Sequence, residues 1–156
     1  MPKIFSQEYY IGIDPGASGA IIAISKQGET LGGRMPPTVA DISELIEELQ
    51  YAKFAVIERL WGYAGDRNTG PTMFKMGRNY GNLEMALAHS GIAYEEVTPR
   101  TWQKAMGITP RKKTESKTEF KNRLKSKAQQ LFPQVKMTLA ICDAFIIAEY
   151  CRRTHA

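Results

Sequence analysis

Three acidic residues stand where the pattern of the chain calls for an apolar side chain or has just ended one. Asp14 closes the run Tyr9-Tyr10-Ile11-Gly12-Ile13 and is followed by Pro15, Gly16, Ala17 and Ser18. Glu58 closes Phe54-Ala55-Val56-Ile57 in the string AVIERL. Asp143 interrupts TLAICDAFIIAEY, in which Leu139, Cys142, Ile146, Ile147 and Tyr150 are expected to face a core. A carboxylate in apolar surroundings is costly unless a metal or a base accompanies it. Each acid alone has an ordinary explanation, as a turn aspartate bonding its own backbone or as a salt-bridged helix residue. Together they have the composition of an all-oxygen cage for hard divalent cations, which suits phosphate chemistry.

Charge is distributed in keeping with that chemistry. The 156 residues carry a net charge of +5. Between Pro99 and Lys127 ten Lys and Arg face two Glu, a local +8, so the remaining eleven basic and fourteen acidic residues sum to −3. A basic segment on a mildly acidic body is the footprint of a polyanion binder, nucleic acid first. It also meets a need, because an acidic pocket by itself repels a phosphodiester. A solvated lysine-rich helix face is the plainer account of the same residues.

The elements that must position these groups follow from periodicity. Strands are expected at about 8–14, 19–25, 28–35, 53–57 and 92–97. Helices are expected at 41–50, with Ile42, Leu45, Ile46 and Leu49 on one face, and at about 71–89, 101–106, 114–131 and 138–151. The order βββαβαβαα implies an α/β layer architecture, and the length suits a single domain. In such sheets sites form beyond the carboxyl ends of strands, so Asp14 and Glu58 are placed to share one crevice, with Asp143 pointing in from a covering helix. Lys113, Lys117, Lys121 and Lys125 recur every fourth residue beside the apolar stripe Phe120, Leu124, Ala128 and Leu131. Gly77 and Gly81 have the spacing that lets another backbone approach a helix closely. No apolar run is long enough for a membrane helix and no signal-peptide core is visible, which implies a cytoplasmic protein (host cytoplasm if viral) or an organellar one after transit-peptide removal. Cys142 and Cys151 lie nine apart in one expected helix and read as free thiols of a reducing compartment.

The ordered set GIDPGASGA, VIER, FKMGRNYG, VTPRTWQKAMG, LFP and CDAFIIAEY resembles the RuvC-type Holliday junction resolvases, their phage-like branch in particular, from about Tyr9 to Tyr150. The resemblance implies an RNase H-like fold, a five-stranded mixed sheet flanked by helices. It implies a homodimer that makes paired, symmetrical nicks in branched DNA with two Mg²⁺ or Mn²⁺ ions per site, leaving 5′-phosphate ends. Asp14, Glu58 and Asp143 would be the metal ligands, Asp14 bridging. Lys121 and Lys104 would match family lysines, Lys121 close to the metals. Arg111, Lys112, Lys113, Lys117, Lys125 and Arg67 would hold DNA arms, and Trp61 or Tyr63 would wedge or stack at the junction centre. The helix bearing Phe74, Gly77 and Gly81 would form the dimer face, with Met73, Met76 and Met85 as packing residues. The family pattern has a fourth acidic position one helical turn before the last aspartate, and here it is Ala140. That leaves either a three-acid site, with another group or a water filling in, or an inactivating substitution.

Three other functions fit parts of the pattern. A non-catalytic binder of branched DNA with a degenerate site fits Ala140. An actin-like or sugar-kinase-type ATPase shares the core and the Asp-Gly turn but needs a second domain. An RNase H-type nuclease on RNA–DNA hybrids fits the acids but has less use for the basic helix.

Overall fold

In the computed structural model, residues 7–60 and 69–156 are described. Trp61, Tyr63 and Arg67 fall outside them. The order is β1 (Tyr9–Asp14), β2 (Ala20–Ser25), β3 (Thr30–Arg34), α1 (Val39–Glu48), β4 (Phe54–Glu58), α2 (Gly70–His89), β5 (Tyr94–Val97), α3 (Pro99–Ala105), α4 (Lys117–Leu131) and α5 (Cys142–His155). It is βββαβαβααα, with the short α3 an element in its own right.

The sheet is mixed, in the order β3-β2-β1-β4-β5. β1, β2 and β3 form an antiparallel meander, and β4 and β5 run parallel to β1. Apart from Asp14, Ser25 and Glu58 at their ends, β1, β2 and β4 are apolar because helices cover both faces. Alternation sorts their side chains: Tyr9, Ile11, Ile13, Ala55 and Ile57 pack with Ile42, Ile46, Leu83 and Leu87 of α1 and α2. Tyr10, Ile22, Ile24 and Val56 pack with Trp102, Leu124, Ala128 and the buried residues of α5 on the other face. By the same two-residue period, Asp14 and Glu58 belong to the face covered by α3, α4 and α5.

The starts of the last two helices differ from expectation. Helix α4 begins at Lys117 because Ser116 accepts from the Glu119 N–H (3.0 Å) while Glu119 accepts from the Ser116 N–H (3.2 Å). This reciprocal cap stops the helix there and leaves Lys113 in the connection, off the lysine stripe. Helix α5 begins at Cys142, so Ala140 lies in the turn before it, wound by a bond from the Cys142 N–H to the Thr138 carbonyl (3.1 Å). Leu139 is 44% exposed, against the expected core position, and Met137 is buried in its stead. Gln129 accounts for this: its amide donates to the Phe132 and Val135 carbonyls and accepts from the Met137 N–H, which turns Met137 inward. Cys142 and Cys151 are both buried free thiols of α5. Among the described residues, no helix is long and apolar enough to cross a membrane.

Candidate active site

Asp14 and Glu58 are brought side by side by strand register. Ile13 pairs with Ile57 across the parallel β1–β4 ladder, so the next residue on each strand is an acid at the same level and on the same face. Asp14 opens a tight hairpin to β2 in which it faces Ala20. The turn closes through the Gly19 N–H to the Gly16 carbonyl (2.8 Å), and a Cβ on Gly19 would stand 2.1 Å from the Asp14 carbonyl oxygen. Asn79 of α2 donates its amide to the Pro15 carbonyl and so ties this turn to the helix behind the sheet.

Glu58 is set by β5 and α3. It pairs with Val97, and Thr98 then caps α3 at once. That places the fully buried Trp102 with its indole N–H on Glu58 Oε2 at 2.8 Å.

Asp143 reaches the same place because α5 crosses β1 at Gly12. A Cβ there would lie 2.1 Å from the Ala148 nitrogen and 2.5 Å from the Ala144 carbonyl oxygen. Only glycine permits that contact, which seats the first turn of α5, with Asp143, over the end of β1. Lys121 of α4 completes the group with its ammonium 2.8 Å from Asp143 Oδ2. The Cys142 thiol lies 3.4 Å from the other carboxylate oxygen.

The electrostatics reflect this crowding. Burial and then the Asp143 charge raise the Asp14 carboxyl to about 6. Burial and then the Asp14 charge raise Glu58 to about 7, against the lowering effect of the Trp102 N–H. Burial alone would lower the Lys121 ammonium, but the Asp143 carboxylate outweighs it and the net shift is upward. Burial, followed by the Asp143 charge, pushes the Cys142 thiol up to about 12.

Glu149, also in α5, is the instructive contrast. It is 4% exposed, and burial alone would raise it, yet Arg152 and Arg153 bond it at 2.7–2.9 Å and hold it below the ordinary range. A buried acid with two guanidinium partners is a satisfied structural residue. Among the described residues Asp14 and Glu58 have no such guanidinium partner, and burial raises both.

A divalent cation fits these donors in kind: three converging carboxylates, two of them under-compensated, are what a hard cation takes. In number the site has three acids, since half-buried Ala140, where a fourth was expected, offers no oxygen. Among the described residues, no three ligating side chains are already gathered tightly enough to hold one ion. The Lys121 ammonium supplies the positive charge beside Asp143 instead.

The other basic residues lie apart from the acids. Lys104 lines a cavity with Arg100 and Arg111. Arg111, Lys112, Lys113 and Lys117 are exposed, and Lys125 is half-buried on α4. On α2, Phe74 and Met85 are each 68% exposed, while the space above Gly77 and Gly81 is open. Three contributors had not been singled out for the site from sequence: Gly12, Asn79 and the Trp102 indole. A glycine inside a continuous apolar strand was the available signal for the first.

A mixed five-stranded sheet, covered on both faces and carrying acids at the ends of β1 and β4, defines an α/β fold of the RNase H-like kind. Two solved structures share it over nearly their whole length. One is Thermus thermophilus RuvC, at 17% identity, covering 92% of this chain and 95% of that one with a TM-score of 0.56. The other is T. thermophilus RuvC in complex with Holliday junction substrate, at 17% identity, covering 94% and 96% with a TM-score of 0.58. No family model and no curated protein matches the chain.

Proposed function

We propose that this chain is a structure-selective endodeoxyribonuclease of the RuvC type, a single RNase H-like domain that resolves four-way and other branched DNA junctions by paired nicks as a homodimer. The observation that carries the reading is the meeting of Asp14, Glu58 and Asp143 at one corner of the sheet, beside the +8 segment. The RuvC complex with a Holliday junction substrate, alike in fold, supports the choice of substrate.

In this reading Asp14, Glu58 and Asp143 hold Mg²⁺ or Mn²⁺. Bound there, two such ions supply an activated water and stabilise the leaving 3′-oxygen. Trp102 fixes the rotamer of Glu58. Lys121, released from Asp143, offers its ammonium to the charge that builds on the scissile phosphate. Lys104, Arg111, Lys112, Lys117 and Lys125 hold phosphates of the arms, giving affinity without reading sequence. The exposed apolar strip of α2 at Phe74, Gly77, Gly81 and Met85 meets a second copy and spaces two sites for two nicks.

The test is incubation of a mobile four-way junction with the chain and with an Ala140→Asp variant, in Mg²⁺ and in Mn²⁺. Paired symmetrical nicks with 5′-phosphate ends are expected, faster with Asp at position 140. Junction binding without nicking by either protein would refute the nuclease and leave the non-catalytic binder, which the missing oxygen at Ala140 favours. Micromolar ATP binding would point instead to the kinase-like fold relatives.

A further inference from the structure

Away from the acids lies a cavity of about 830 Å³ between α3, the connection that follows it and α4. That volume is in the range of sites that take small organic groups. Arg100, Lys104 and Arg111 bring positive charge to its wall, Ile108, Pro110 and Phe120 give it apolar surface, and among the described residues no acid lines it.

The wall is built rather than a gap between loose side chains. Arg123 bonds the Glu115 carboxylate through two nitrogens (3.1 and 3.0 Å), the Thr109 hydroxyl (2.9 Å) and the Pro110 carbonyl (3.4 Å), and its guanidinium lies 4.9 Å from the Phe120 ring centroid. Arg111 is tied to the Glu115 carbonyl at 3.0 Å. These bonds hold the connection against the start of α4.

The cavity is also coupled to the acids through α3 and α4. Arg100 and Lys104, four residues apart, share one face of α3, and Trp102 on the opposite face holds Glu58. Phe120 precedes Lys121, which holds Asp143. The two helices that line the cavity are thus the two that hold Glu58 and Asp143.

From this we propose that the cavity receives one unpaired nucleotide of the bound DNA strand. Its base stacks on Phe120 over Ile108 and Pro110, and its flanking phosphates are held by Arg100, Lys104 and Arg111. Aromatic and apolar surface combined with cations and free of carboxylates is the arrangement by which proteins hold single-stranded nucleic acid. The inference rests on the junction-nuclease reading, since a branch point is where unpaired nucleotides occur.

Wild-type, Phe120→Leu and Arg100→Ala proteins are titrated at fixed salt with a short labelled oligothymidylate, with an abasic oligomer of the same length and charge, and with a four-way junction. Wild type is expected to bind the oligothymidylate about tenfold more tightly than the abasic oligomer, the scale of one stacked base. Phe120→Leu abolishes that difference, and Arg100→Ala weakens both oligomers by a similar factor. Equal binding of the two oligomers by wild type, or an unchanged preference in a folded Phe120→Leu, overturns the proposal. Should Phe120→Leu fail to melt cooperatively, the exposed Arg100→Ala still tests it, because a loss confined to one oligomer or absent from both overturns it. Junction binding without base preference keeps the junction reading and removes the pocket. Base preference without junction binding upholds the pocket and removes the junction reading.

Discussion

Replacing Asp14 by Asn should stabilise the metal-free protein at neutral pH while abolishing cleavage. The carboxyl rises from 3.8 to about 6 on folding, through burial and the nearby Asp143 charge. The native state therefore holds its proton to a higher pH than the unfolded chain does, and stability falls as pH rises through that window. At about 1.4 kcal/mol per pH unit, the loss is about 3 kcal/mol once pH exceeds 6, and only about 0.5 kcal/mol at pH 4. Asn cannot ionise, and it keeps an oxygen for the Gly16 N–H that bonds Asp14. Removing the Asp14 charge also relieves Glu58, which it raises. In EDTA at pH 8 the variant should melt about 6–12 °C above wild type, taking 2–4 °C per kcal/mol for a chain of this size. At pH 4 the two curves should nearly coincide. Added Mg²⁺ should raise the wild-type midpoint and leave the variant's almost unchanged, since binding to the native state alone stabilises it. An equal shift at both pH values, or a less stable variant at pH 8 in EDTA, would refute the electrostatic account of the site.

Gly12→Ala places a methyl 2.1 Å from the Ala148 nitrogen, so α5 must leave the sheet; a loss of about 3 kcal/mol or more in urea unfolding is expected, and a loss under about 1 kcal/mol would contradict the close crossing. Trp102→Phe keeps an aromatic in the core but removes the donor to Glu58, costing about 2 kcal/mol in the same assay and lowering kcat more than junction affinity; a purely structural Trp102 would leave kcat intact. Gly81→Arg meets nothing in the isolated chain and improves helix propensity by about 0.5–1 kcal/mol, so the fold should hold or gain stability. Sedimentation should nonetheless show monomer, and paired nicking should become single nicking; a variant that stays dimeric would move the interface elsewhere.

The sheet was legible because its three central strands are covered on both faces, which leaves near-continuous apolar runs between glycine and proline turns. Observed boundaries of β1, β2 and β4 fall within a residue or so of expectation for that reason. The acids at Asp14 and Glu58 were legible as breaks in those runs. The start of α4 was written in Ser116 and Glu119, yet the lysine period carried the expectation three residues too far upstream. The start of α5 was harder to see, because Gln129 turns Met137 inward through bonds that span eight residues. The Trp102–Glu58 bond joins residues 44 apart with no local signature. Gly12 announced a close approach without saying what approaches.

These cases share a cause that bears on how the site works. The β1–β4 register fixes Asp14 and Glu58, and the Gly12 crossing adds Asp143, so three like charges are forced together by packing alone. The Cys142 thiol of α5, a weak donor 3.4 Å from Asp143, offsets these charges little. Their counterparts come from the basic segment: Trp102 of α3 reaches Glu58, and Lys121 of α4 reaches Asp143. The +8 stretch is therefore structurally part of the acidic site, one face of its helices meeting the carboxylates and another lining the cavity. Arg100 and Lys104 of α3 and Phe120 of α4 line the cavity, so the same two helices serve it and the acids. Loosening α3 or α4 should then cost acid positioning and DNA affinity together, whereas exposed changes at Lys112 or Lys113 should touch affinity alone.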